Sequence, residues 1–506
     1  MHDVTAPAHP RHRDALLAIA IFALAKLAFH TIVNQQYGFH RDELATLDDA
    51  RHLAWGYVAY PPLTPFVGRI ALAFLGTSLA GFRFFAAAAQ SVVIVLTASM
   101  ARHFGGDRNA QWLAALAVAV APVSLVASSL FQYVSFDFLW FVLLAWLVVR
   151  LAETDDPRWW MAIGLVIGLG FLTKYTMLFF VCGLVVGVLA TPLRKHLASR
   201  WLWIGAAISL LVAAPNLIWQ WQHDFISLEF LKSIHARDIE IGRTDHFLRN
   251  QLFVPANPFT IPFWVAGLVA LFAVPSFRRF RVLGWMVVVP FAIFVAARGR
   301  DYYTAPLYSV LYAAGATWLV SLLATRRLAR RALVAISAIL FLLVGAFVVR
   351  HELPIATVGT EQWREQLADS GDLREEIGWP ELAGEVARIW GTIPPGQRAH
   401  TAIYCANYGE AGAIDLYGPR HGLPPAISGV NSYWARGYGD PPPEQVIVIG
   451  SRPDRVARRF DSFVVVGRVP NPHRIPNEES EHPDIFLCGK PREGWAALWP
   501  KIRGFG

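Results

Sequence analysis

The sequence predicts a multi-pass α-helical membrane protein carrying a water-facing α/β domain at its C-terminal end. Three observations lead there. The 506 residues are 55% hydrophobic and only 16% charged, with a mean hydropathy of +0.39, too apolar for an ordinary soluble chain. About eleven stretches approach the length of roughly 20 apolar residues that crosses a hydrocarbon core. After residue 351 the apolar stretches stop and strand-like and amphipathic segments begin.

In chain order the candidate spans lie near 14–33, 82–101, 110–128, 137–151, 159–173, 175–192, 201–221, 258–276, 282–297, 303–323 and 332–350. The first follows MHDVTAPAHPRHRD without a cleavage site, so it reads as an anchor and not a removed signal. Phe66 to Leu75 is too short to span and reads as an interfacial helix in the first long loop. With the N-terminus in the cytoplasm, the inner loops collect Arg11 and Arg13, Arg102 and Arg108, Arg150 and Arg158. They continue with Arg194, Lys195 and Arg200, then Arg278, Arg279 and Arg281, then Arg326, Arg327, Arg330 and Arg331. The short outer loops hold little beyond Lys174, Arg298 and Arg300. An odd number of crossings then places everything after Arg350 outside. The expected organisation is a membrane domain over 1–351, with long outer loops at 34–80 and 221–257, and an extracytoplasmic domain over 352–506. The net charge of +8 is spent on these short Arg clusters, and with no nucleic-acid motif in the chain no nucleic-acid partner is expected.

In the C-terminal region GWPELAGEVARIW has helical spacing, and HTAIYCANYG, EQVIVIGS and DSFVVVGRV read as buried strands. EAGAIDLYG reads as a short helix ending in a turn. Three cysteines make no disulfide framework. Cys182 reads as a small buried hydrophobe; Cys405 and Cys488 are free to pair if the region is outside, but spacing does not decide it.

Charge beside a span has to face water or a cavity, since at the centre of a bilayer it costs about 3 kcal/mol or more. The loop YGFHRDELATLDDARHLAWGYVAYPPL concentrates such charge. Asp42 and Glu43 are adjacent and need not act as a pair. Either Arg41 holds one carboxylate ionised while the other faces a cavity, or the group is a solvated loop. Asp48, Asp49 and Arg51 fit a helix start or a solvated face. His40 is a proton-handling group or a solvated one. Tyr60-Pro61-Pro62 is a stiff extended exit from the loop. Asp137, in SLFQYVSFD, opens the fourth span as a site acid or as a favourable charge at a helix start. Lys174 in LTKYT is a site cation or a snorkelling one. ARGRDYYTAP sets Arg298, Arg300, Tyr302 and Tyr303 at one membrane edge, as an interfacial anchor or as forks for phosphate oxygens. The acidic loop allows a divalent metal, although nothing there fixes a ligand count. No P-loop, HExxH or serine elbow is present, so no cofactor is required.

Taken together, FHRDEL, RHLAWGYVAYPPL, SFDFLW, TKYT and RDYYTAP resemble the GT-C superfamily of membrane glycosyltransferases. The likeness is to glycosyltransferase family 39, with its protein mannosyltransferases and lipid A aminoarabinose transferases, over roughly residues 14–350. The resemblance implies a GT-C fold with interfacial helices in the first loop and a polyprenyl-phosphate-linked sugar as donor. It implies an envelope lipid, glycan or protein as acceptor, among membrane lipids, at the outer face of a bacterial cytoplasmic membrane. It casts Asp42 as general base with Glu43 beside it, and Asp137 as a second acid in the cavity. Lys174, Arg298, Arg300, Tyr302 and Tyr303 become contacts of the donor phosphate, and His40, Arg41 and Tyr60 contacts of substrate. The expected chemistry is an inverting single displacement, because a polyprenyl phosphate is a good leaving group and a base at the acceptor suffices. Two departures stand out. Tyr60 replaces the His that many relatives carry before Pro-Pro, and the C-terminal domain is not the sugar-binding repeat domain of the eukaryotic mannosyltransferases. That domain is an acceptor-binding platform or a structural cap. The alternative from another class is a transporter or flippase, which predicts mid-span polar residues and inverted repeats.

Overall fold

A computed structural model describes residues 11–506, with side chains from Ala15 onward. The first ten residues, from which the anchor reading partly comes, lie outside the described residues. The chain forms two compact units. Of the described residues, one comprises 11–32, 83–218 and 237–350; the other comprises 33–82, 219–236 and 351–506. The edge at Arg350/His351 lies one residue before the 351/352 boundary expected from sequence, and the first long loop groups with the C-terminal segment and not with the spans.

In chain order the first eleven helices are α1 (Arg11–Val33), α2 (Arg41–Arg51), α3 (Leu63–Leu75), α4 (Leu79–His103), α5 (Arg108–Ala119) and α6 (Pro122–Val126), then α7 (Tyr133–Thr154), α8 (Trp159–Phe171), α9 (Met177–Ala190), α10 (Arg200–Gln222) and α11 (Ile226–Glu240). Among the described residues seven helices are long and apolar enough to cross a membrane, or eight if the pair Met177–Ala190 and Pro192–Ala198, bent by 100°, counts as one span. The expected eleven is therefore not confirmed. The stretch at 110–128 breaks before Pro122, whose missing N–H cannot continue a helix, leaving α5 twelve residues long. At 1.5 Å per residue that is about 18 Å, well short of the hydrocarbon core. The thirteen-residue helices α8 and Ile261–Ala273 fall short for the same reason. Seven is odd and eight is even, so the helix count no longer supports the parity argument for the C-terminal segment. The predicted interfacial helix is present as α3, and the expected loop at 221–257 is largely helical, through α11 and Phe247–Asn250.

The spans are apolar on their outsides as well as their insides. Leu17, Leu24, Leu211, Leu343 and Phe347 are all more than 60% exposed, as a hydrocarbon solvent allows. Between helices, close approach replaces hydrophobic driving force. Gly315 illustrates this: a Cβ there would lie 1.8 Å from the Phe263 carbonyl oxygen, so only glycine permits the contact between Ala305–Leu322 and Ile261–Ala273.

The second unit carries a five-stranded sheet in the order β2-β1-β3-β5-β4, with β1 (Thr401–Cys405), β2 (Ala426–Ser428), β3 (Gln445–Ile449), β4 (Phe463–Arg468) and β5 (Asp484–Cys488). β1 pairs in parallel with β2 and β3, with Ile403 opposite Ile447, while β5 runs antiparallel to both β3 and β4. The helix Trp379–Thr392 buries Trp379, Leu382, Ala383, Val386 and Ile389 along one face, as its spacing predicts. Two expectations are corrected here, for β4 and for Cys182, and the open question of the Cys405–Cys488 pair is answered. β4 is an exposed edge strand, with Val464 and Val465 more than half exposed, because it has a partner on one side alone. Cys405 and Cys488 are buried but unpaired, since β3 separates their strands. Cys182 is exposed on the outside of α9 and not packed inside.

Candidate active site

Within the second unit the organising element is α2. His40 caps it: its Nδ1 accepts from the Asp42 N–H at 3.1 Å, and Glu43 Oε2 accepts from the His40 N–H at 2.9 Å. This capping box satisfies helix donors that burial would otherwise orphan. His40 and Glu43 are both buried, and their printed bonds are structural. The helix start leaves Asp42 as the more open acid, its side chain 39% exposed and its Oδ1 3.9 Å from Arg41 Nε. Arg41 is ion-paired with Glu478 and sits 5.9 Å from the Tyr408 ring centre.

The helix Tyr408–Tyr417 lies against α2. Gly409 and Gly412 make this possible: a Cβ on either would come within 2.7 Å of Arg41 Cβ or Leu44 Cβ respectively. The approach lets Tyr408 donate its phenol hydrogen to Asp42 Oδ1 at 2.6 Å. Burial and the neighbouring Asp42 carboxylate hold the Tyr408 phenol well above its usual range, so it stays a donor. Sequence reasoning missed Tyr408, although NYGEAG displays both glycines at helical spacing. In the same helix Glu410 Oε2 accepts from the N–H groups of Ala406 and Asn407 at 3.0 and 3.3 Å. Burial pushes its carboxyl up to about 8.

About two turns further along α2, Asp48 and Asp49 are buried, not solvated. Asp48 is ion-paired with Arg436. Asp49 Oδ2 accepts from the hydroxyls of Tyr60 at 2.6 Å and Ser432 at 3.2 Å. Burial, and then the Asp48 charge, raise Asp49 to about 7 against the pull of Arg436. Tyr60 is thus tied to a buried acid of α2. Arg51 donates to the Asp415 carbonyl at 2.9 Å.

The first unit holds a separate constellation. Lys174, in the break between α8 and α9, places its Nζ 3.5 Å from the ring centre of Tyr303, 4.3 Å from Tyr133 and 5.5 Å from Tyr302. That Nζ is buried and makes no hydrogen bond. Beside it Asp137 is buried in the second turn of α7, and its Oδ2 accepts from the Thr176 hydroxyl at 3.2 Å. Asp137, Lys174, Tyr302 and Tyr303 line one small cavity with Val123 and Pro306. Arg300 stands next to it: its Nε and Nη2 clamp Asp238 at 2.6 and 3.0 Å, and its Nη1 lies 3.3 Å from the Tyr302 hydroxyl. Arg298 is exposed, at a left-handed turn (φ 48°), and does not line the cavity.

A second missed feature supports the cavity wall. Lys26 of α1 donates to the carbonyl and hydroxyl oxygens of Ser124 at 3.3 and 2.9 Å, and His30, one turn on, lies 3.0 Å from the Ser129 hydroxyl. These bonds hold the broken segment that carries Val123. Two ionisable residues four apart inside an apolar span were the available signal. Among the described residues no three His, Cys, Asp or Glu side chains come together as a metal site.

Comparison with known proteins bears on this arrangement. Residues 59–219 match the family described as dolichyl-phosphate-mannose-protein mannosyltransferase. The lipid A galacturonosyltransferase RgtD of Rhizobium johnstonii is 28% identical over 235 residues, 45% of this chain and 47% of the relative; the match thus spans about half of that protein. The crystal structure of ArnT from Cupriavidus metallidurans in its apo state superposes over 94% of this chain and 98% of its own, with a TM-score of 0.58 and 15% identity. The chain has the GT-C fold. The same enzyme bound to undecaprenyl phosphate superposes equally well, with a TM-score of 0.58 at 16% identity. The resemblance to GT-C glycosyltransferases is borne out; SFDFLW and TKYT lie inside the matched region and FHRDEL before it, and the matched family and RgtD are described as transferases, not transporters. The chain is a multi-span membrane protein with a small C-terminal sheet.

Proposed function

We propose that this protein transfers a glycosyl group from a polyprenyl-phosphate-linked sugar to an envelope acceptor at the outer face of a bacterial cytoplasmic membrane. The observation that carries the reading is Lys174, a buried ammonium ringed by three tyrosines whose Nζ donors have no hydrogen-bond acceptor. Asp137 lies in the same cavity but makes no hydrogen bond with that Nζ, so its donors are open to the oxygens of a lipid phosphate entering from the membrane. The GT-C fold and the undecaprenyl phosphate bound by ArnT support the same donor class. The likeness to a lipid A galacturonosyltransferase favours a lipid acceptor over a protein one.

In this mechanism the Asp42 carboxylate takes the proton of an acceptor hydroxyl. The acceptor oxygen forms a bond to the anomeric carbon from the face opposite the phosphate. The bond from that carbon to the phosphate oxygen breaks, and its electron pair leaves with the polyprenyl phosphate. The configuration inverts. Tyr408 orients Asp42, and Arg300, held by Asp238, supports the tyrosine ring system.

The test is a transfer assay with the full chain in lipid nanodiscs, a labelled polyprenyl-phosphate sugar and an envelope lipid extract. Transfer is expected with the natural chain and a drop of about a thousandfold or more with Asp42→Asn, the scale on which a general base and its pre-organised oxygen act. Full activity in Asp42→Asn rules out that base. Lys174→Ala is expected to raise the apparent KM for the donor; an unchanged KM removes it from the phosphate site. Movement of donor across the bilayer without new covalent product would select the flippase reading instead.

A further inference from the structure

Arg41 and Glu478 form a pair that the proposed chemistry leaves unused, and both belong to the second unit with Asp42. Arg41 Nη1 donates to Glu478 Oε2 in a direct ion pair. Its Nε is buried, has no hydrogen-bond partner and lies 3.9 Å from Asp42 Oδ1. That is beyond hydrogen-bond reach, although the two residues are neighbours in sequence. Asp42 Oδ1 accepts from the Tyr408 phenol instead, at 2.6 Å. The acid proposed as base is thus oriented by a neutral donor, while a cation beside it is held by a second acid.

The difference matters to a base. A carboxylate bonded directly to a guanidinium has its ionised form stabilised and its proton affinity lowered, by about one to three pH units. Such a group takes a proton poorly near neutral pH. Glu478 competes for the guanidinium from the start of the short helix Glu478–Glu481. That turn is anchored without Arg41. Asn477 caps it, its Oδ1 accepting from the Ser480 N–H at 3.2 Å, and its Nδ2 donates to the Ile377 carbonyl at 3.1 Å. The anchored partner is Glu478, so the ion pair places Arg41 and not the reverse.

The other titratable groups around this pair come from four segments. They are His40 on α2, engaged in the cap; Tyr408 and Glu410 on the helix Tyr408–Tyr417; Glu375, just after the helix Gly371–Arg374; and Glu479, beside Glu478. Among these Arg41 is the permanent cation, and Glu478 is the acid bonded to it. From this geometry we infer that Glu478 is a positioning residue for the base: it holds the Arg41 guanidinium off the Asp42 carboxylate, so that Asp42 keeps the proton affinity that deprotonating an acceptor hydroxyl needs. The role in the reaction rests on the transfer reading; the hold on Arg41 is a property of the folded chain.

The experiment reads the Asp42 carboxyl itself, in the full chain in nanodiscs. A water-soluble carbodiimide with glycine ethyl ester tags carboxyls in their protonated form. Mass spectrometry follows the tag on Asp42 against pH, normalised to the exposed Glu361. Glu478→Gln is expected to move the midpoint of Asp42 labelling to lower pH by about half a unit or more, the scale of a unit charge at about 4 Å in water-like surroundings. Glu478→Asp, which keeps the acid, is expected to restore most of the shift. The Glu478 side chain is 41% exposed, so both substitutions are compatible with folding. In an Arg41→Gln background the Glu478→Gln shift is expected to fall to less than about half, because no guanidinium is left to release. In the transfer assay the acidic limb of kcat/KM is expected to move to lower pH in Glu478→Gln, with a lower plateau, because a weaker base removes a proton less readily.

An unchanged or higher labelling midpoint in Glu478→Gln overturns the inference, whatever happens to the Tm. A shift of undiminished size without Arg41 overturns it too, since Glu478 would then act on Asp42 as a neighbouring charge alone. A natural chain that transfers nothing yet shows the labelling shift removes the transfer reading and leaves the hold on Arg41 standing.

Discussion

At the scale of single residues, four adjacent letters, His-Arg-Asp-Glu, divide into separate tasks. His40 and Glu43 close a cap, Arg41 reaches Glu478, and Asp42 is left partly open and hydrogen-bonded by Tyr408. The Tyr408 bond favours the ionised form of Asp42, so its removal raises the pH at which that form is available. Tyr408→Phe is therefore expected to move the acidic limb of the kcat/KM profile to higher pH. A uniformly lower profile of unchanged shape would assign Tyr408 a packing role alone. Asp49 and Glu410, raised to about 7 and about 8, make a second prediction. Both bind their proton more tightly folded than unfolded, so the folded form holds more protons between about pH 4 and about pH 8. Their contribution to stability is largest at the acid end and falls as pH rises through that window. The Tm of the full chain, corrected for other titrations by comparison with Asp49→Asn, is expected to drop from about pH 5 to about pH 8, more steeply than in that variant. Equal slopes would show that Asp49 ionises as freely folded as unfolded.

At the scale of elements, the docking of α2 on Tyr408–Tyr417 depends on two absent side chains. Gly412→Val would place a Cβ 2.7 Å from Leu44 Cβ and 2.9 Å from the Leu44 carbonyl carbon, and backbone cannot yield as a side chain can. Overpacking of this kind costs about 1–3 kcal/mol. It is expected as a lowered Tm together with loss of transfer, since the shift moves Tyr408 from Asp42. In the first unit, Lys26 fastens α6, the short segment after the break that follows α5. Lys26→Met leaves the Ser124 oxygens with fewer donors, at a cost of about 1–3 kcal/mol for buried groups. The expected readout is a raised KM for the donor, because Val123 lines the Lys174 cavity. An unchanged KM with a lowered Tm would confine Lys26 to stability. Much of this was legible in advance. α3, the helix Trp379–Thr392 and three of five strands follow from apolar spacing, whereas β2 is three residues long and too short to show a pattern.

At the scale of the whole molecule, the division into membrane helices and a small sheet follows from hydropathy, and the GT-C fold from a few motifs held at their spacing. The number of crossings did not follow. Apolar residues fill α8 and Ile261–Ala273 as they do the longer helices, and length separates them, through prolines and turns whose effect depends on what packs around them. The same limit applies to the site. Composition and motif were enough to bring forward Asp42, Asp137, Lys174 and Arg300, since charge beside hydrocarbon always needs a reason. Tertiary structure alone decided that Glu43 is a cap, that Arg298 stands apart, and that Asp48 and Asp49 are buried. It alone brought Tyr408 to Asp42 across 366 positions of sequence. Local pattern records how each residue meets its near neighbours and its solvent. A partner hundreds of residues away leaves no periodicity to read, and the bond exists only once two glycines allow the helices to touch.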